Sequence, residues 1–170
     1  SAVFDEKKLL WISQQHLSEM SVRDLMNEIY ALNPGWGDGL EWEYLKEVVK
    51  LIKDRSKTIT EIASMSEIFF TDKLHYDSDL LNKTYNDKSI AIIKDCKSAL
   101  TSIEDWSRVE LENIFENLME QHDVAIGQVM KPIRVALSGI PFGPGIFDLI
   151  LLLGKDICQI RLRHTLSEVE

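Results

Sequence analysis

The sequence has few cysteines and no long apolar run. Its two cysteines, Cys96 and Cys158, lie far apart without a second ligand nearby, so we expect reduced thiols and no metal site. The longest apolar run, residues 146–153, is interrupted by Asp148, whereas a membrane-spanning helix needs about 20 apolar residues. No basic, apolar and cleavable leader stands at the start of the sequence. We therefore expect a soluble, cytoplasmic protein with no membrane partner.

Basic residues are scarce relative to acidic ones. The chain has 19 Lys and Arg against 28 Asp and Glu, for a net charge of −9. Indiscriminate binding of nucleic acid needs a surplus of basic residues, so we expect no DNA partner. The charges are unevenly placed, because residues 101–123 hold seven acids and one arginine while residues 131–164 hold five bases and two acids. An acidic body with a basic end fits a protein that presents one face to RNA, although a solvated mixture of charges gives the same counts.

Sustained alternation of apolar and polar residues is also absent. Apolar residues instead recur at spacings of three and four in every long segment, which is the periodicity of amphipathic helices. Ser21 before Asp24, and Thr58 before Glu61, are capping patterns that predict helix starts. The sequence therefore predicts an all-α chain of short antiparallel helices.

A polar stretch interrupts the helical pattern at residues 71–79. We place a boundary there and predict two consecutive helical subdomains, residues 1–75 and residues 76–170. In the second subdomain, the pattern predicts a helix over residues 80–100, then a helix start at residues 101–106 and a helix that runs to residue 122. A further segment, residues 127–137, is interrupted by Pro132. A buried helix follows at residues 146–153, and Gly154 ends it before a last basic helix.

No constellation of catalytic residues emerges from the sequence. The four histidines are dispersed, and no nucleophile or glycine-rich phosphate loop accompanies them. We therefore predict no catalytic residue in this chain. Most aromatic residues have the spacing of core residues, and only Trp36, in a glycine-rich turn, stays open as a residue that stacks on a base.

Several separated sequence blocks carry a family resemblance. The blocks are Phe4 with KLLW at 8–11, DRSKTI at 54–59, FFTD at 69–72, MKPIRVALSG at 130–139, PGIF at 144–147, LLGK at 152–155 and RL at 161–162. In order and spacing they resemble the carboxyl-terminal, anticodon-binding region of bacterial-type glutamyl-tRNA synthetases, and the resemblance spans essentially the whole chain. The resemblance implies an all-α helix bundle, or cage, that binds the anticodon.

The resemblance assigns Arg55 to the third anticodon base, which is C in tRNA(Glu) and G in tRNA(Gln). The Watson–Crick edge of cytosine presents acceptors to a guanidinium, which only donates, whereas guanine presents N–H donors. Arg55 is therefore expected to accept C and reject G. The alternative is a solvated charge at a helix end, beside Lys53 and Lys57.

The resemblance places Arg134 at the first two anticodon bases, with Pro144 and Ile146 as an apolar wall beside them. Gly143 stands where the family usually has a hydroxyl residue, so only its backbone amide remains for a contact. The alternatives are an ion pair for Arg134 and an ordinary helix start for Pro144.

Three further basic residues resemble positions that contact the tRNA backbone, namely Lys8, Lys131 and Arg161. Ser13 and Gln14 replace the family's usual Asn-Gly after Trp11, so Lys8 and Trp11 have packing roles as the alternative.

The family's catalytic domain carries HIGH-like and KMSKS-like sequences that hold ATP, and neither occurs in these residues. The resemblance therefore implies that this fragment alone is non-catalytic and needs no cofactor. The parent enzyme would use ATP and Mg to ligate glutamate to tRNA(Glu), and we expect a monomer. The alternative function is a helical protein-interaction domain of the same descent that no longer binds RNA.

Overall fold

The computed structural model describes residues 6–170, with side chains from residue 13 onward. Every regular element in this part of the chain is helical, and no strand occurs there. The prediction of an all-α chain is therefore confirmed. The helices are α1 (Glu6–Glu19), α2 (Val22–Leu32), α3 (Trp42–Lys53), α4 (Ile59–Ser66), a 3₁₀ helix (Glu67–Phe69), α5 (Ser78–Thr84), α6 (Asp87–Ser102), α7 (Arg108–His122), α8 (Ile126–Ser138) and α9 (Ile146–Val169).

The chain divides into two compact units, Ser1–Phe70 and Thr71–Glu170. The subdomain boundary that the sequence places after residue 75 stays a prediction. In the described part of the chain, no helix is long and apolar enough to cross a membrane.

The first unit is built from α2, α3 and α4, which pack against one another. Trp36 lies at the centre of its core and is 2% exposed. Its indole Nε1 donates to Ser66 Oγ at 2.7 Å, and its ring meets those of Tyr30 and Phe70 edge to face. Trp36 is therefore a packing residue, and no face of it is left for a base. The other buried core residues are Leu17, Leu25, Met26, Ile29, Leu45, Val49 and Ile62.

Side-chain caps fix where the helices of the first unit begin. Ser21 accepts a hydrogen bond from the Asp24 amide, and Thr58 accepts one from the Glu61 amide, both at 3.1 Å. These are the two caps that the sequence predicts. Lys53 caps the carboxyl-terminal end of α1. Its Nζ donates to the carbonyl oxygen of Ser18, in the last turn of α1, and to that of Met20, just after the helix ends.

The second unit packs α6 against α7, α8 and α9. The predicted single helix over residues 80–100 is wrong, because α5 ends at Thr84 and α6 begins after Asn86. Asn86 and Ser89 cap each other's backbone amides at 3.0 and 2.8 Å, and this capping box starts a new helix. The predicted helix start at residues 101–106 is also wrong. α6 continues to Ser102, and α7 begins after Ser107, which caps it.

Pro132 lies inside α8, and Gly154 interrupts α9 with a φ of 79° and a ψ of 165°. The predicted break at Gly154 is therefore confirmed, and the basic residues that follow it lie on a second helical segment.

Candidate nucleic-acid interface

Arg134 is held by the loop that connects α8 to α9. Its Nη1 donates to the Pro144 carbonyl oxygen at 2.7 Å, and its side chain is half-buried. The loop turns back at Gly139, whose φ of 73° ends α8 in the left-handed conformation. Ser138 Oγ donates to the Arg134 carbonyl and accepts from the Ile140 amide. The residues that the resemblance groups around the first two anticodon bases, Arg134, Gly143 and Pro144, therefore meet in one place.

Gly143 has a φ of 127°, a conformation that residues with a side chain rarely adopt. A Cβ at this position would lie 3.9 Å from Arg134 Nη1, which is ordinary contact. The backbone conformation, and not lack of space, therefore favours glycine here.

Ile146 and Pro144 are both buried, and Ile146 is 3% exposed. Ile146 is therefore a buried support of the loop and does not present its side chain to solvent. The apolar side chain that reaches solvent is Phe142, which is 63% exposed. Sequence reasoning missed Phe142. The available signal was an aromatic residue between Pro141 and Gly143, outside any helical pattern.

The start of α9 differs from the predicted start at Pro144. The helix begins at Ile146 after the N-cap Gly145, and Asp148 lies in its first turn. Asp148 forms an ion pair with Arg108. Because this carboxylate lies near the positive end of the helix, the helix terminus is already balanced by a protein charge.

Three buried contacts hold α8, the helix that carries Arg134. The Tyr85 and Tyr76 hydroxyls donate to the Pro132 and Ala136 carbonyl oxygens, both at 2.6 Å. Burial raises the pKa of both phenols, so they stay protonated donors at neutral pH. Arg161 Nη1 donates to the Leu137 carbonyl at 2.5 Å. These bonds reach carbonyls from the middle of α8 to its last turn and fix its position.

Arg161 therefore requires a correction, because it was expected to contact the tRNA backbone. It is 0% exposed, and its guanidinium also donates to the Thr71 carbonyl at 2.6 Å. A buried guanidinium that is bonded to two backbone carbonyls acts as a structural clamp.

Arg55 lies in the exposed turn between α3 and α4. Its amide donates to the Ile52 carbonyl at 2.9 Å, and the next residue, Ser56, is buried and bonds to the same carbonyl. The side chain of Arg55 forms no hydrogen bond or ion pair with any side chain or backbone group that the structure describes. Lys53 is engaged at the end of α1, so Arg55 and Lys57 are the exposed cations of this turn.

Lys131 is exposed on α8, three positions before Arg134, so the two side chains lie on neighbouring parts of the helix surface. Lys8 belongs to α1, but its side chain and that of Trp11 lie outside the described residues, as does Phe4. The described candidate residues therefore lie on α8 and its following loop in the second unit and, separately, in the α3–α4 turn of the first unit.

The remaining reactive side chains serve the core. Cys96 and Cys158 are free and buried, and burial raises the pKa of the Cys158 thiol to about 12. Both thiols are therefore inert at neutral pH. Among residues whose side chains are described, no group of His, Cys, Asp or Glu is arranged to hold a metal ion.

The described fold is all-helical, and the loop after α8 holds the Arg134 guanidinium and exposes Phe142. Comparison with known proteins gives the particular family. The chain belongs to the anticodon binding domain family, whose sequence model matches residues 16–166.

The chain is similar to bacterial glutamate–tRNA ligases. Glutamate–tRNA ligase 2 of Thermoanaerobacter pseudethanolicus is 27% identical over 173 residues, covering 99% of this chain and 36% of that protein. Glutamate–tRNA ligase 2 of Caldicellulosiruptor saccharolyticus is 29% identical over 168 residues, covering 97% of this chain and 35% of that protein. The chain thus spans about a third of the length of these relatives.

A solved structure shares the fold. The crystal structure of a glutamate tRNA ligase from Elizabethkingia meningosepticum matches with a TM-score of 0.84 at 22% identity, covering 100% of this chain and 34% of that one. The likeness confirms the helical architecture of the anticodon-binding region.

Proposed function

We propose that this chain reads the anticodon of tRNA(Glu) as part of a glutamate–tRNA ligase. The observation that carries the proposal is the fixed position of Arg134, whose guanidinium is bonded to the Pro144 carbonyl in the loop that also presents Phe142. Anticodon bases are single-stranded and can splay out, so they are read by hydrogen bonds to their edges and by stacking. Arg134 would supply hydrogen bonds to the first two bases, and the exposed ring of Phe142 would stack on one of them.

The third base is assigned to Arg55. Its side chain is exposed and has no partner among the described groups, so no protein ion pair must break before it meets a base. A guanidinium matches the O2 and N3 acceptors of cytosine but faces the N–H donors of guanine. A buried donor left without an acceptor costs about 1 to 3 kcal/mol, so Arg55 supplies up to about a hundredfold preference for C over G.

The remaining assignments complete the proposed interface. Gly143 contributes its backbone amide, and Pro144 and Ile146 give the loop its apolar support. The resemblance assigns Lys8 and Lys131 to the RNA backbone. The parent enzyme would use ATP and Mg to ligate glutamate to tRNA(Glu) in the cytoplasm, and the chain would act as a monomer.

The experiment compares binding of the 170-residue chain to tRNA(Glu) and to the same tRNA with its third anticodon base changed from C to G. We expect the wild-type chain to prefer the C form by roughly 10- to 100-fold. Arg55→Gln should remove most of this preference. Gel shift at low salt, with both tRNAs in parallel, measures the two affinities.

Arg23→Gln is the matched control, because Arg23 is an exposed arginine of the same unit and also has no described partner. It removes the same charge and should leave the C/G ratio unchanged. Equal loss of preference in both variants would mean that the ratio depends on net charge and not on Arg55.

A protein-interaction domain without RNA binding is the second candidate. It is favoured by the net charge of −9 and by two exposed apolar side chains at neighbouring helix ends, Leu32 at 67% and Trp42 at 41% exposure. If neither tRNA binds at low salt, the RNA-reading proposal fails for this chain and the second candidate replaces it.

A further inference from the structure

A groove of about 250 Å³ lies in the second unit, between the α5–α6 turn and the first half of α8. Its lining combines lysines with uncharged polar groups, and no carboxylate is among the described residues that line it. The residues that matter for its chemistry are Lys83, Thr84, Lys88, Gly127, Gln128 and Lys131.

The three lysines give the groove a positive charge in an otherwise acidic chain. Lys83, Lys88 and Lys131 are exposed, and none forms an ion pair with a described carboxylate. They come from α5, α6 and α8, so the tertiary fold brings them together from separate helices. In a chain with a net charge of −9, cations gathered around one cavity without an acidic partner favour an anionic ligand.

Thr84 gives independent support for a ligand in this groove. The residue is 8% exposed, and its hydroxyl Oγ1 is buried without a hydrogen-bond partner in the described structure. Buried hydroxyls almost always have a partner, so this unused donor on a residue that lines the groove leaves one hydrogen bond for a ligand to complete. A phosphate oxygen is an acceptor that would satisfy this hydroxyl.

The first turn of α8 offers backbone donors to the same ligand. Its N-cap is Ala125, whose side chain has no acceptor, and its first turn contains no acidic residue. Gln128 Oε1 accepts from the Ala125 amide at 3.2 Å, which leaves the amides of the next residues without a side-chain cap. One of these residues is Gly127, which lines the groove. An anion in the groove would take the place of the missing cap.

We propose that this groove is a phosphate-binding site, in which Lys83, Lys88 and Lys131 neutralise the charge while Thr84 Oγ1 and the first amides of α8 donate hydrogen bonds. The phosphate belongs either to the RNA backbone or to a small phosphorylated molecule. The RNA form rests on the proposed function of anticodon reading, because Lys131 and Arg134 share α8. The small-molecule form does not.

The first arm of the test titrates the whole chain with inorganic phosphate and follows backbone amides by NMR. The Gly127 amide should shift in a saturable way. Thr84→Val keeps the side-chain shape and removes the hydroxyl, and it should weaken phosphate binding about fivefold. The double variant Lys88→Gln with Lys131→Gln should abolish saturable binding. Lys94→Gln removes a charge from α6 outside the groove and should bind phosphate as the wild type does.

The second arm measures the salt dependence of tRNA binding for the same variants. Each phosphate contact contributes about 0.7 to 0.9 to the slope of log K against log salt. If the groove takes the RNA backbone, the double lysine variant should lower the slope by roughly 1.5, for C and G forms alike. An unchanged slope together with a saturable Gly127 shift assigns the groove to small phosphorylated molecules.

The proposal is overturned if inorganic phosphate moves Gly127 no more than it moves amides distant from the groove. It is also overturned if Thr84→Val and Lys94→Gln bind phosphate equally. Because the phosphate arm contains no anticodon, its outcome is independent of whether Arg55 reads the third base.

Discussion

At the scale of single residues, Gly143 controls the loop that positions Arg134. Its φ of 127° is accessible to glycine and strained for alanine, at a cost of about 1 to 3 kcal/mol. We expect Gly143→Ala to lower the free energy of unfolding by that amount, or to shift the loop and loosen the bond between Arg134 and the Pro144 carbonyl. Urea denaturation measures the first effect, and weaker binding of tRNA(Glu) reports the second.

Gly127→Ala is the control for the stability measurement. Gly127 is helical, has no positive φ, and has open space where a Cβ would lie. Alanine should therefore stabilise this helix by up to about 1 kcal/mol. If Gly143→Ala unfolds at the wild-type urea concentration and binds tRNA equally well, the described loop conformation does not govern the site.

Residue types were easier to predict than residue environments. The sequence identifies Arg134 and Pro144, which the structure joins by a hydrogen bond. It also assigns Arg161 to the RNA, and there the structure places a buried clamp. Charge alone does not distinguish Arg161 from the exposed Arg163, but helical spacing does, because Arg161 shares its face with Cys158 and Thr165.

At the scale of single helices, the N-cap of α4 stabilises the turn that carries Arg55. Thr58 Oγ1 accepts from the Glu61 amide at 3.1 Å, and Glu61 accepts from the Lys57 amide at 2.6 Å. Thr58→Ala should lower the free energy of unfolding of the first unit by about 1 kcal/mol, because the cap is lost. Urea denaturation followed by tryptophan fluorescence is a suitable measurement, since the buried Trp36 belongs to this unit.

Thr60→Ala is the matched control for the cap. Thr60 is exposed in the same helix, so its replacement by a better helix former should be neutral or slightly stabilising. Equal destabilisation by Thr58→Ala and Thr60→Ala would argue against a special role for the cap.

Local signals located many of the helices but not all of their ends. The caps at Ser21 and Thr58 and the break at Gly154 follow from side-chain chemistry and backbone conformation, which the sequence displays directly. The split between α5 and α6 depends on the capping box of Asn86 and Ser89. That capping box lies inside a segment in which the apolar spacing continues without a break. The spacing therefore predicted one helix where the structure has two.

At the scale of the whole chain, the all-α class and the family follow from the sequence, but the groove of three lysines does not. Lys83, Lys88 and Lys131 belong to three different helices. Their grouping depends on how α5, α6 and α8 pack, and neither local charge counts nor helical periodicity contains that information. The partnerless hydroxyl of Thr84 is likewise visible only after folding.

The net charge of −9 makes salt a test of the proposed recognition of RNA by the whole chain. Contacts to phosphates release counterions, so the logarithm of the binding constant for tRNA(Glu) should fall linearly with the logarithm of the salt concentration. A contact between Arg55 and the edge of a base carries the sequence preference without that dependence. We therefore expect the two affinities, for the C and G forms, to fall in parallel between low and physiological salt, with their ratio unchanged.

The variants should separate these two contributions. Arg55→Gln should lower the C/G ratio at every salt concentration, whereas Lys131→Gln should reduce the salt slope by about 1 and leave the ratio unchanged. Binding measured by fluorescence anisotropy at four or more salt concentrations gives both quantities from one data set. A C/G ratio that declines towards one as salt rises would show that the preference depends on screened, long-range charge, and the direct reading of the third base by Arg55 would then be wrong.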